Sequence, residues 1–229
     1  MAWKNGGGTT SEIAVWPRAA SFDAFVWRVS VAEIAQDGAF SDFPGVDRTI
    51  VLLSGAGMDL EGGPAALARQ PASAACASTL DPRLPTTNRH VLRTPYVPLS
   101  FDGGIAWHAR LADGPTHDFN LMVRRGAAHG ALTVWREAGT FPLPADSVLL
   151  FVAHGTATLH ASGAAPSRPL VLERFDSVQP DVSRAATSSM TLDAAAVVLV
   201  VGITVPPAPP GVADNGISIV EASSAATAS

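Results

Sequence analysis

The sequence predicts an all-β protein with two jelly-roll-like β-barrels in one compact chain, and three observations carry that prediction. Short runs of strand-forming residues recur at fairly regular spacing, separated by turn residues and without a sustained helical period. The length, 229 residues, suits one large β domain or two small fused ones. Thr49 to Leu60 is also echoed about 100 residues later. There Ile50-Val51-Leu52-Leu53, followed by Gly55 and Gly57, finds its likeness in Val148-Leu149-Leu150-Phe151, followed by Gly155. Trp27-Arg28 and Trp135-Arg136 stand a similar distance apart, each ahead of its copy.

Taken in order, the chain opens on Gly6-Gly7-Gly8, which permits tight turns with exposed N–H groups. Such a run either cradles an anion or forms a plain loop. It is not a phosphate-binding P-loop, because the Gly-Lys-Ser/Thr ending is missing and no strand precedes it. Phe25 to Ala32 alternates with period two and reads as a strand. Phe25, Trp27, Val29 and Val31 take one face; Val26, Arg28, Ser30 and Ala32 take the other. Residues 33–40 read as a turn-rich connection. Thr49 to Leu53 is a strand, and Gly55 and Gly57 bend the chain before Met58-Asp59-Leu60 continues it.

Residues 62–89 are rich in Ala, Pro, Ser and Thr, have no period, and read as a surface insertion. Further strands are expected at Val91–Val97, Ile105–Leu111, Phe119–Val123, Leu132–Arg136, Ser147–Val152 and Thr156–His160. Leu170–Glu173, Ser188–Leu192 and Ala195–Val205 complete the set. The proline run that starts at Pro206 ends the fold. The expected division is an N-terminal half over 1–120, a C-terminal half over 121–207 and a flexible tail over 208–229. Trp27 to Leu60 pairs two strands with a polar, glycine-marked loop, and reads as the floor and rim of a small-molecule pocket.

Composition narrows the function. Hydrophobic residues make up 47% and charged residues 15%, so a real core forms and disorder is not the default. The formal charge is −5 with no long basic run, which argues against a nucleic-acid partner. Most of the positive charge is Arg, which grips carboxylates as a fork and keeps its proton. A lone cysteine, Cys76, allows no intramolecular disulfide, and the N-terminal stretch lacks the apolar core of a signal peptide. The longest apolar run, Ala194 to Val201, falls short of the roughly 20 residues that span a bilayer. The expectation is a cytoplasmic protein with no membrane partner.

Several residues could carry chemistry. Arg48 follows a Phe-Pro-Gly turn and leads into an apolar strand. It either grips a ligand carboxylate at a pocket mouth or pairs with Asp47, Asp42 or Asp37. Asp118, Asn120, Met122 and Arg124 share one side of a strand, where grouped polar side chains line a cavity or tie the strand to a loop. Glu12, near the glycines, either accepts a ligand amine or caps the loop. Arg28 either points into a polar barrel interior or faces water, the exterior being favoured; Trp27 and Phe40 are expected to be core. The six histidines form no His-x-His pair, although His154 and His160 flank a strand; no metal or other cofactor is expected. No Ser-His-Asp arrangement can be claimed, because no serine sits in a nucleophile-elbow motif.

Several motifs, in order, resemble the HutD/Ves family. They are Trp3-Lys4-Asn5-Gly6-Gly7-Gly8, Glu12-Ile13-Ala14, Trp27 to Ala32, Asp37 to Ser41, Phe43 to Arg48, Phe101-Asp102-Gly103 and Asp118 to Arg125. They cover residues 3–125; Ala39 stands where the family usually has Pro. The resemblance implies a double cupin, two cupin barrels in one chain, with ties to histidine utilisation or to cold and stress responses and no firmly assigned enzymatic activity. Read together, residues and resemblance lead to a small-molecule-binding bicupin for a small acidic metabolite such as a formylated or formimino amino acid. The expected ligand-binding residues are Asn5, Gly7, Glu12, Ser30, Arg48, Asp118, Asn120 and Arg124. The rival reading is a cupin enzyme, metal-dependent or metal-free, acting on a small carboxylate. A protein-binding regulator that acts through an exposed barrel edge, as a homodimer, is a further alternative.

Overall fold

The computed structural model describes residues 3, 6–63, 88–161, 168–181 and 187–206. The insertion read at 62–89 therefore lies mostly outside the described residues, as do Asn5, Cys76 and the tail. Among the described residues there are seventeen strands and no helix. The first nine are β1 (Gly8–Trp16), β2 (Trp27–Ile34), β3 (Gly38–Ala39), β4 (Val46–Ser54), β5 (Met58–Gly62), β6 (Asn88–Leu92), β7 (Pro98–Asp102), β8 (Trp107–Leu111) and β9 (Thr116–Arg124). The remainder are β10 (His129–Trp135), β11 (Gly139–Pro142), β12 (Ser147–His154), β13 (Ala157–His160), β14 (Leu170–Leu172), β15 (Ser177–Val178), β16 (Ser189–Leu192) and β17 (Val197–Thr204).

They build two cups of two antiparallel sheets each. The first cup has a sheet ordered β1-β2-β9-β4-β7 facing one ordered β3-β8-β5-β6. The second has β10-β17-β12-β15 facing β11-β16-β13-β14. Position for position the orders agree, with β1 as the extra strand. The internal echo marks this repeat: β4 and β5 occupy in the first cup the places of β12 and β13 in the second. Gly55 (φ +92), Gly57 (φ +82) and Gly155 (φ +70) carry the chain from one sheet to the other. The tryptophan pair is not part of the repeat. Trp27 opens β2 and packs between the cups, whereas Trp135 closes β10 and packs against the interior of the second cup.

The two larger sheets lie back to back. Val29, Val51, Leu53, Phe119 and Leu121 of the first cup meet Leu149, Phe151, Ala153, Leu199 and Val201 of the second in one buried cluster. Phe119 and Phe151 pack at 5.1 Å between ring centroids. The central strands of these sheets are buried on both faces, which is why β4, β12 and β17 read as continuous apolar runs rather than alternating ones. Each cup then has its own interior. That of the second is filled by Leu150, Val152, Leu159, Met190, Leu192, Val198 and Val200. The lower part of the first is filled by Ile34, Ile50, Leu52, Met58, Leu60 and Trp107.

Some expectations need correction. The glycine run is not a free loop, since Gly8 opens β1 and pairs with Ile34. A Cβ there would stand 2.2 Å from the Glu33 carbonyl oxygen, so the glycine serves a close backbone approach. Residues 33–40 are not wholly turn: β2 runs on to Ile34, and Gly38–Ala39 pairs with β8. Val91 to Val97 is not one strand, because Tyr96, held at φ +61, breaks it between β6 and β7. Short β11 and β15 went unread, having too few residues to show a period. The boundary drawn at 120 falls inside β9, which belongs to the first cup through Arg124. Among the described residues no helix is long and apolar enough to cross a membrane.

Candidate functional site

Three adjacent strands, β2, β9 and β4, turn alternate side chains into the first cup. Their register sets these in rows: Arg28 opposite Met122 opposite Arg48, then Ser30–Asn120–Ile50, then Ala32–Asp118–Leu52. The odd-numbered neighbours are held outward in the core between the cups. These rows border a cavity of about 600 Å3. Trp3, Thr10, Ala39, Phe40 and Ser41 complete its wall, with Phe22 and Phe43 beside them. The Trp3 indole N–H donates to Thr10 Oγ1 (2.7 Å), and its ring meets Phe40 edge-on.

Arg48 is 5% exposed, and its guanidinium carbon lies 5.0 Å from the Phe40 ring centroid, 5.3 Å from Phe101 and 5.8 Å from Phe43. Its Nε donates to Asn120 Oδ1 and its Nη1 to the Ser41 carbonyl, both at 3.4 Å. Those are long bonds for a group with five N–H donors. Burial, opposed by the Asp118 carboxylate and assisted by the Arg28 charge, lowers its pKa to about 10, so it stays a cation at neutral pH. The alternative of an ion pair with Asp47, Asp42 or Asp37 does not hold. Asp47 pairs with Arg125 (2.7 Å), and Asp37 accepts the Leu111 N–H.

Arg28 turns inward, not to water as expected. It is 6% exposed, donates from Nε to Glu12 Oε2 (2.8 Å) and from Nη1 to Ser30 Oγ (3.3 Å), and lies 4.8 Å from the Phe22 ring centroid. Its alternation with Ser30 placed it on the correct face, but the strand pattern carries no sign of which face is inside. Asp118 is 1% exposed, and its Oδ1 has no hydrogen-bond partner. Burial pushes its carboxyl up to about 7, against the opposing pull of Arg48 and of the Asp118 and Ala32 backbone N–H groups.

The structure thus brings together Ser30, Arg48, Asp118 and Asn120 of the expected set, and adds Arg28. Glu12 reaches the site through its bond to Arg28. Gly7 does not line the cavity; it is buried, and its carbonyl accepts the Ala35 N–H (2.9 Å). Arg124 is a clasp rather than a ligand-binding residue. Its Nε donates to the Phe25 carbonyl (2.9 Å) and its Nη2 to those of Phe22 and Asp23, tying the end of β9 to the loop before β2. Phe40 is buried as expected, yet it is also cavity wall.

The polar side chains that β2, β9 and β4 bring to the cavity are two guanidiniums, one carboxylate, one amide and one hydroxyl. A set with two cations and no imidazole does not fit a resident metal ion. His154 and His160 are both exposed, and hydrogen-bond to the Ala195 carbonyl and to Thr191 Oγ1 respectively. Among the described residues no three His, Cys, Asp or Glu side chains gather. What the first cup can do is hold an anion in a partly apolar hollow.

Comparison with known proteins agrees with this architecture. Protein Ves from Cronobacter sakazakii is 34% identical over 133 residues, which is 58% of this chain and 59% of that protein. The chain therefore spans little more than half the length of the curated Ves relatives it matches. A 21.2 kDa uncharacterised protein of Pseudomonas putida, in the hutC 3' region, is 30% identical over 165 residues, 71% of this chain and 73% of that one. Among solved structures, HutD from Pseudomonas fluorescens SBW25 is 25% identical with a TM-score of 0.65, covering 90% of this chain and 93% of its own. A cupin 2 barrel protein from Leptotrichia buccalis is 10% identical with a TM-score of 0.50, covering 90% and 92% of the two chains, and shows the fold alone. The HutD family model matches residues 1–199, and this double-cupin chain belongs to the HutD family.

Proposed function

We propose that the first cup binds a small acidic metabolite and that binding, not turnover, is what this protein does. One observation carries the reading. Arg48 is a buried cation with spare N–H donors and no ion pair among the described residues, set beside a second buried guanidinium on a hollow of small-ligand size. A buried charge is costly until it is paired, and a ligand carboxylate supplies the pair together with fork-like hydrogen bonds. Asn120 and Ser30 hold the two guanidiniums in place, and Arg28 takes the part first given to Arg124.

Two guanidiniums suit a ligand with two carboxylates, such as a formylated or formimino glutamate from histidine breakdown. The hutC-region setting of the P. putida relative supports a link to histidine utilisation. The protein would then sense or buffer a pathway intermediate. Calorimetry and thermal-shift titration with such acids should give dissociation constants below about 1 mM, and Arg48→Met should weaken the best of them at least tenfold. If no acid binds that tightly, or if Arg48→Met binds like the parent protein, the reading is wrong.

A further inference from the structure

Asp118 has no part in anion binding and opposes it. Asp118 lines the same cavity as the guanidiniums, is nearly sealed from solvent, and leaves Oδ1 buried without a hydrogen bond. Buried acceptors in natural folds are almost always satisfied, so one left without a partner on a residue of the cavity wall points at what the cavity takes. The register fixes where it stands. Arg48 Nε ends on Asn120 and Arg28 Nη1 ends on Ser30, and those two residues are cross-strand partners. Both guanidiniums are therefore anchored on the Ser30–Asn120 row. Asp118 belongs to the next row, flanked by Ala32 and Leu52, which have no polar side-chain atom to offer. One same-face repeat along a strand is about 6.6 Å.

We propose that the cavity is built for a bipolar ligand, with its anionic group on the Arg48–Arg28 pair and an N–H donor, as ammonium, amidinium or amide, on Asp118 Oδ1 one repeat away. The proposal rests on the anion-binding reading and adds the second pole. With Arg28 already paired to Glu12, Arg48 leaves net positive charge at one end of the hollow and Asp118 negative charge at the other, which favours a ligand with the reverse arrangement over a plain dianion of equal length. Burial, which holds the Asp118 carboxyl near 7, adds to the gain from a cationic donor, because the desolvated carboxylate then acquires the partner it lacks.

The test uses two probes of equal length, 5-aminopentanoate and hexanoate, in which an ammonium is replaced by a methyl group. They are titrated by calorimetry at pH 8, where Asp118 is ionised. The unsubstituted protein should prefer 5-aminopentanoate by about tenfold or more. Asp118→Asn should bring the two within about threefold, and Asp118→Ala serves if the Asn variant does not fold. Equal affinity in the unsubstituted protein, or a preference that survives both substitutions, overturns the proposal and leaves anion binding intact. If neither probe nor glutarate binds and Arg48→Met changes nothing, anion binding itself fails and takes this proposal with it.

Discussion

Asp118 and Arg48 lie on one wall of one cup, and burial acts on them unequally. Arg48 keeps its proton even with its pKa lowered to about 10, whereas Asp118, raised to about 7 from an ordinary 3.8, titrates near neutrality. Between those two values the folded protein holds a proton that the unfolded chain has released. The Asp118 contribution to stability is therefore full below about pH 4, falls as pH rises towards 7, and levels off above it. Asp118→Asn removes the dependence. In urea unfolding the variant should exceed the parent protein by on the order of 2–4 kcal/mol at pH 8, and the gap should close towards pH 4. A constant difference across that range would contradict the burial argument. At this scale the sequence was half legible. Alternation put Ser30 with Arg28, and Asn120 with Asp118 and Arg124, on shared faces. It did not tell that Arg28 faces the hollow, or that Arg124, at the end of β9, has backbone carbonyls within reach and spends its guanidinium on them.

Strands bounded by clear alternation or by apolar runs were readable; those made by pairing alone were not. β2, β4, β9, β12 and β17 carry their own pattern. β1 does not, because its first residue, Gly8, closes a glycine run that has the look of a loop, and its strand state follows from hydrogen bonding to β2. Gly8→Ala tests this. The new methyl would sit 2.2 Å from the Glu33 carbonyl oxygen, so β1 must move off β2, at a cost of about 2 kcal/mol or more in chemical denaturation. Gly63→Ala is the comparison: its φ is +88 but nothing stands within 4 Å, so only the left-handed backbone strain of about 1 kcal/mol applies. Equal effects at the two glycines would show that close approach at β1 is not what matters.

For the whole molecule, the shared layer between the cups makes them one folding unit. Phe119 of the first cup packs on Phe151 of the second, and Phe151 stacks in turn on Phe175. Phe151→Ala should cost about 3–5 kcal/mol. Hydrogen exchange should then quicken together in β4 of the first cup and β12 of the second, as one cooperative unit. Faster exchange confined to the second cup would mean that the cups unfold separately. By itself the sequence determined that the chain is all-β, that its strongest runs form a core, that it repeats once, and that polar side chains gather on single strand faces, because period two and β-branched apolar runs are local properties. Only the tertiary structure decided which of those faces is inside and which cup keeps a hollow. The central sheets are buried on both sides, so inward and outward are set by what packs against them: the second cup fills with aliphatic side chains, and the first points two guanidiniums and a carboxylate into a shared space.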